Sequence, residues 1–129
     1  VAPGKRMLSS MSPTIIAREG RPVLVLGSPG GRTIINTVLG IIVNHLVHGL
    51  PVQKAVDTPR LHHQWLPDRL QVEAGALSAA TRASLEKMGH VIQQRGGTQG
   101  SAMAISVRRD GKLEAGCDHR RPDSAAVGY

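Results

Sequence analysis

The segment Gly27-Ser28-Pro29-Gly30-Gly31 is where this chain could do chemistry with its backbone. A β-rich run precedes it and a long apolar stretch with helical spacing follows, so the loop opens a helix. The first turn of a helix leaves N–H groups without intrahelical partners, and the helix dipole places partial positive charge there. Gly30 and Gly31 turn freely and let a ligand approach without a Cβ in the way. Such a loop suits an anion: a phosphate, a carboxylate or the oxyanion of a tetrahedral intermediate. No Gly-Lys-Ser/Thr follows and the GxGxxG spacing is missing, which excludes the two commonest nucleotide loops. A tight strand-to-helix turn without any ligand fits the same residues.

Ser9, Ser10 and Ser12 place three hydroxyls just before a strand. Each hydroxyl can donate to a carboxylate, although serines in such loops more often satisfy nearby backbone. No His or acid stands beside them in a nucleophile context, so a serine-hydrolase triad is not supported. His45 and His48 are three apart in the helical stretch, and His62-His63 lie in a later segment. Neither set has the spacing of a zinc site, and no metal is expected. Cys117 reads as a small buried residue. The sixteen Lys+Arg are scattered and interleave with almost no aromatics, so nucleic acid is not an expected partner. An excess of base that complements an acidic partner segment is the more interesting reading.

The whole chain has 129 residues, a formal charge of +7, 40% hydrophobic and 19% charged residues. That composition allows one domain with a core and argues against disorder. The longest apolar run, residues 38–43, contains Gly40 and soon meets Asn44 and His45, so no membrane span is present. A single cysteine excludes an internal disulfide framework. Aromatics are only 2%, so the core must be built from Leu, Ile, Val, Ala and Met. With Val1 first, no initiator Met and no leader pattern, the chain reads as a piece of something longer.

The elements that must position these residues follow from local pattern. Residues 14–18 and 22–26 are β-rich runs around Glu19-Gly20-Arg21 and predict a hairpin. Apolar residues at helical spacing predict a helix over 32–48, ended by Gly49, with a face broad enough to be buried. A second short helix is expected over 51–58, an ordered loop over 60–68 and a strand over 70–73. Ser78 is an N-cap for a helix through Met88, with Gly89 as its stop and another strand over 90–94. Asp110-Gly111 predicts a hairpin pairing 102–108 with 112–116. The pattern is α+β: a largely antiparallel sheet covered by helices.

Taken together, residues 3–15 (PGKRMLSSMSPTI), Gly27-Ser28-Pro29-Gly30-Gly31, residues 57–68 (DTPRLHHQWLPD), Gly116-Cys117-Asp118-His119-Arg120 and the ending Ala126-Val127-Gly128-Tyr129 resemble gamma-glutamyltransferases. The resemblance covers essentially the whole chain, in order. It implies an N-terminal-nucleophile hydrolase, an αββα four-layer sandwich, of which this chain resembles the C-terminal part of the small subunit. By that resemblance Ser9 and Ser10 hold the α-carboxylate of the γ-glutamyl group, and the backbone amides of Gly30 and Gly31 form the oxyanion hole. A catalytic threonine at the start of the small subunit attacks the γ-glutamyl amide, typically of glutathione, and its own amine serves as base. Water or an amino-acid or peptide amine then resolves the acyl-enzyme. This chain begins with Val1 instead, so the nucleophile is expected elsewhere, with the large subunit and the rest of the small one as partners. The 129 residues alone are expected not to turn over γ-glutamyl substrates and to self-associate. The resemblance implies a periplasmic or secreted location and no cofactor. Within the superfamily a cephalosporin-acylase-like amide hydrolase is the alternative; outside it, a non-catalytic basic binding module.

Overall fold

The computed structural model describes residues 2–127, so Val1 and the closing Gly128-Tyr129 lie outside the described residues. Strands β1 (Thr14–Arg18) and β2 (Arg21–Gly27) form the expected hairpin, joined through Glu19 and Gly20, both at positive φ. A 3-10 turn, Gly31–Thr33, leads into α1 (Ile34–Ile42), which continues as a π-helical turn, Val43–Val47. Helix α2 (Val52–Asp57), strand β3 (Leu61–His62) and strand β4 (Leu70–Val72) follow. Helix α3 (Ala79–Lys87) leads to β5 (Ile92–Gln94), and β6 (Met103–Val107) and β7 (Leu113–Cys117) complete the chain. The α3 start is as predicted: Thr81 N–H donates to Ser78 Oγ at 3.0 Å. The Asp110-Gly111 turn is too, with Gly111 at φ +83° and Val107 paired with Leu113.

β1, β2, β6 and β7 make one sheet in that order, antiparallel at every pairing. Helices α1 and α2 cover one face of it. Leu24 and Leu26 from β2, Ala104 from β6, Ile34, Val38 and Ile41 from α1, and Val52, Ala55 and Val56 from α2 form the core. No large aromatic takes part, and small residues let the layers close up. A Cβ on Gly116 of β7 would sit 3.0 Å from the Val52 carbonyl oxygen, so α2 rests directly on that strand.

Two expectations are corrected here. Helix α1 is not buried all round: Ile34, Thr37, Val38 and Ile41 face inward, whereas Ile35 and Leu39 are 56% and 53% exposed. A helix packed on one layer buries one stripe only, and Ile35 and Leu39 lie on the side turned away from it. Residues 60–68 are not wholly loop, because β3 pairs with β4. β4 then pairs parallel with β5, which makes a second, mixed sheet of three strands. Helix α3 returns the chain to the same end, the connection a parallel pair requires.

The face of the main sheet away from α1 and α2 is also apolar. Ile15, Val25 and Ile105 are paired in register across β1, β2 and β6, and are exposed by 70%, 38% and 43%. An antiparallel sheet with one wet face normally alternates apolar with polar. This one is apolar on both faces, which marks a surface built to be covered. We therefore expect the isolated chain to self-associate, with light scattering giving a mass above the monomer's 13.7 kDa. Ile15→Lys with Ile105→Lys should move that mass back toward the monomer; a clean dilute monomer of the unsubstituted chain would contradict the expectation.

Candidate functional site

The glycine loop leaves the end of β2 and starts the helical segment, as its residues predict. Gly30 has φ +146° and Gly31 φ +55°, a left-handed pair that favours glycine. A side chain at Gly30 would also collide: its Cβ would lie 2.9 Å from Thr33 Oγ1 and 3.3 Å from the Cα of Gly100. The Gly30 carbonyl accepts from the Thr33 N–H and the Thr33 hydroxyl, at 3.2 and 3.0 Å, and so points into the helical turn. The amide N–H groups of Gly30 and Gly31 have no acceptor among the described residues, and both glycines are exposed. Two unpartnered donors thus stand at the positive end of α1.

Ser9 and Ser10 lie in the extended segment before β1. Thr14, the first residue of β1, pairs with Leu26 near the end of β2. The serine segment and the glycine loop therefore emerge from the same end of one hairpin. Ser9 Oγ accepts from the Met11 N–H at 3.3 Å, which leaves its own proton to give. The Ser10 hydroxyl is half-buried and has no partner among the described residues, while its carbonyl accepts from Ser12 Oγ at 3.1 Å.

Beneath the loop lies a support that no local pattern announces. Ser28 Oγ donates to the Pro29 carbonyl at 2.7 Å and accepts from the Ser101 N–H at 3.1 Å. Gly100, at φ +69°, passes so close that a Cβ there would meet Ser28 Oγ at 2.7 Å and the Pro29 oxygen at 3.0 Å. Backbone packs on backbone at the Gly30–Gly100 crossing. Only glycine permits that approach on either side.

Gly100 is held in turn by a buried ionic cluster. Asp118, fully buried, accepts from the Ala102 N–H at 2.7 Å, Arg60 Nη2 at 2.6 Å, the Arg120 N–H at 3.0 Å and Arg120 Nη1 at 3.1 Å. Glu73 accepts from the Gln99 N–H at 2.7 Å, the Arg60 N–H at 2.9 Å, and Arg120 through Nε at 3.1 Å and Nη2 at 2.6 Å. Arg60 and Arg120 also donate to the Val56 carbonyl at the end of α2. Burial pushes the Asp118 carboxyl up, but the Ala102 and Arg120 amides and the two guanidinium groups outweigh it and hold it below the usual carboxylate range. Burial acts on Glu73 in the same way and is likewise outweighed, by Arg120 and the Arg60 and Gln99 amides. Burial and the nearby Arg120 lower Arg60, whereas for Arg120 the two carboxylates outweigh burial and raise it.

His45 and His62 serve the frame. His45 Nδ1 lies 2.7 Å from the Leu50 carbonyl and its Nε2 lies 2.8 Å from Ser106 Oγ, so the ring ties the π-helical turn to β6. His62, 2% exposed, bonds the Asn36 side chain of α1 through Nδ1 at 2.5 Å and Gln64 through Nε2 at 2.9 Å. Among the described residues no three His, Cys, Asp or Glu side chains converge as metal ligands. Cys117 is half-buried at the end of β7.

A family model described as Gamma-glutamyltranspeptidase matches residues 1–128. The glutathione hydrolase proenzyme of Escherichia coli (strain K12) is 47% identical over 129 residues, all of this chain and 22% of that protein. The chain therefore spans 22% of the length of this curated relative. A mutant gamma-glutamyltranspeptidase of Helicobacter pylori superposes with a TM-score of 0.87 at 39% identity, over 94% of this chain and 66% of that one. The gamma-glutamyltranspeptidase of Pseudomonas nitroreducens, solved in complex with L-DON, superposes with a TM-score of 0.84 at 40% identity over the whole of this chain and 66% of that one. These neighbours have the αββα N-terminal-nucleophile hydrolase fold, and the antiparallel sheet with its helices is part of it.

Breaking the cluster should be costly. Asp118→Asn leaves two buried guanidinium groups short of an anion and should lower unfolding stability by about 3–5 kcal/mol. Asp68→Asn, at an ion pair whose carboxylate is 86% exposed, should change it by less than about 1 kcal/mol. Because Glu73 and Asp118 titrate lower in the folded chain than in the unfolded one, their stabilisation is complete above the ordinary carboxylate range. It is lost as pH falls below about 4. Denaturant unfolding of both variants across that range checks the size and the sign; equal losses for the two would contradict the assignment.

Proposed function

This chain belongs to the gamma-glutamyltranspeptidase family, and on that premise we propose that it supplies the oxyanion and substrate-carboxylate side of a γ-glutamyl acyl-transfer site. The observation that supports this reading is the pair of unpartnered, exposed amides at Gly30 and Gly31, at the end of the hairpin from which Ser9 and Ser10 emerge. In this reading a threonine hydroxyl contributed from outside the 129 residues attacks the γ-carbonyl carbon, and its proton passes to that threonine's amine. Negative charge develops on the carbonyl oxygen, where the two N–H groups donate to it. Collapse breaks the C–N bond, the proton goes to the departing amine, and an ester-linked acyl-enzyme remains. Water or an acceptor amine attacks the ester and returns the threonine to its starting state. Glutathione and related γ-glutamyl amides are the substrates, and no cofactor is called for.

Preformed donors act because they need no reorganisation as the charge appears, and one such donor commonly supplies on the order of 3 kcal/mol of transition-state stabilisation. Ser9 and Ser10 would orient the substrate by donating their hydroxyl protons to its α-carboxylate. The chain is then the C-terminal part of a small subunit, with a large subunit and the remainder of the small one completing the active site. Among the described residues no helix is long and apolar enough to cross a membrane. A periplasmic or secreted location follows from the same reading.

The test uses the full-length protein that carries this chain and a γ-glutamyl anilide. Gly30→Ala displaces the loop and should lower kcat by roughly a hundredfold or more. Ser10→Ala should instead raise KM for the donor, and should narrow the preference over an analogue lacking the α-carboxylate. Normal kcat in Gly30→Ala, or an unchanged preference in Ser10→Ala, would overturn the assignment of those residues.

A further inference from the structure

Each of the two unpartnered amides belongs to a peptide whose other side is held by a hydroxyl. The Gly30 N–H shares its peptide with the Pro29 carbonyl, which accepts from Ser28 Oγ at 2.7 Å. The Gly31 N–H shares its peptide with the Gly30 carbonyl, which accepts from Thr33 Oγ1 at 3.0 Å and from the Thr33 N–H at 3.2 Å. Both peptide bonds are trans. A trans peptide is planar, so its N–H and its C=O point in opposite directions. Whatever fixes the carbonyl therefore fixes the amide.

The two hydroxyls are themselves held. Ser28 Oγ accepts from the Ser101 N–H at 3.1 Å, which leaves its own proton for the Pro29 oxygen. No other group among the described residues donates to that oxygen. Thr33 is buried, and its hydroxyl lies where a Cβ on Gly30 would meet it at 2.9 Å. The Pro29 oxygen faces Gly100, so the Gly30 N–H is turned away from that crossing. The Gly30 oxygen points into the helical turn, so the Gly31 N–H is turned out of it. A donor on a carbonyl also draws electron density from the nitrogen of the same peptide, which makes that N–H a stronger donor.

We propose that Ser28 and Thr33 are positioning residues of the oxyanion hole, whose hydroxyls orient and polarise the Gly30 and Gly31 amides from the far side of each peptide. The inference rests on the acyl-transfer reading above. Neither side chain touches substrate in it. Each acts through one peptide group on the charge that develops at the carbonyl oxygen, and not on the grip on the ground-state substrate. Their signature is a loss in kcat with KM for the donor preserved.

The test uses the full-length protein and a γ-glutamyl anilide, with L-serine and borate as an inhibitor that carries the tetrahedral charge. Ser28→Ala removes the Pro29 carbonyl's hydroxyl donor and should lower kcat roughly tenfold, with KM held within about twofold. Thr33→Val keeps the shape and the backbone N–H, so kcat should fall by roughly threefold to tenfold. Thr33→Ser keeps the hydroxyl and should hold kcat within about twofold. Inhibition by serine and borate should weaken in step with kcat. Ser28→Ala also leaves the Ser101 N–H unpaired, which Thr33→Val does not, so agreement between the two separates the effect from that loss. Unchanged kcat in both, a loss carried by KM alone, or a Thr33→Ser protein as impaired as Thr33→Val overturns the inference. If one of Ser28→Ala and Thr33→Val does not fold, the other decides by kcat and by serine and borate. An unsubstituted protein that releases no anilide overturns the acyl-transfer reading and this inference with it. Normal variants of an active protein overturn this inference alone.

Discussion

Arg60, Glu73, Asp118 and Arg120 form the constraint on which the rest of this structure depends. They come from three separate stretches of chain: after α2, after β4, and twice from the segment beyond β7. Each carboxylate receives at least four hydrogen bonds, two or more from guanidinium groups. Buried charge is costly to desolvate, and a buried ion pair is weak evidence for net stability by itself. What the cluster does here is fix geometry: its two carboxylates tie the segments after α2, after β4 and beyond β7 to one another, while Arg60 Nε and Gln99 Oε1 stay buried without a partner among the described residues. Its amide donors, Gln99 and Ala102, flank Gly100. The position of Gly100 is thereby set from one side by ions and from the other by the glycine loop.

That arrangement gives the loop its shape. Ser28 accepts from the far backbone and donates to its own neighbour, and Gly30 crosses Gly100 with no side chain between them. The loop carbonyl is consumed by Thr33, while the two amides beside it are left without partners. Orphaned donors at a helix start are ordinary in themselves. Here they are set in place by contacts from a segment some seventy residues away. The order of events is local in sequence and global in cause: glycine permits the conformation, and the ionic cluster selects it.

Much of this was legible in the residues, and the boundary is physical. The β1–β2 hairpin, the Ser78 cap and the Asp110-Gly111 turn are short-range devices whose residues lie within a few positions of one another. The glycine loop announced itself for the same reason. The parallel pairing of β4 with β5 did not, since a three-residue strand carries no period and its partner lies beyond a helix. The half-exposure of α1 was hidden too: its apolar residues are real, but what covers them is decided by other layers. Arg60, Asp118 and Arg120 stood in the blocks that carry the resemblance without a role, and Glu73 lay outside them. Pairs separated by 47 or 58 positions leave no local trace. Gly100 gave no more signal than any other glycine.

The central claim is that the Gly30 and Gly31 amides are aimed at an oxyanion. The most direct measurement is a structure of the full-length protein with L-serine and borate, whose tetrahedral anion stands in for the charged intermediate. The account predicts one borate oxygen within about 2.7–3.1 Å of both nitrogens. An oxygen bound elsewhere, with those nitrogens taken up by neighbouring main chain, would contradict it.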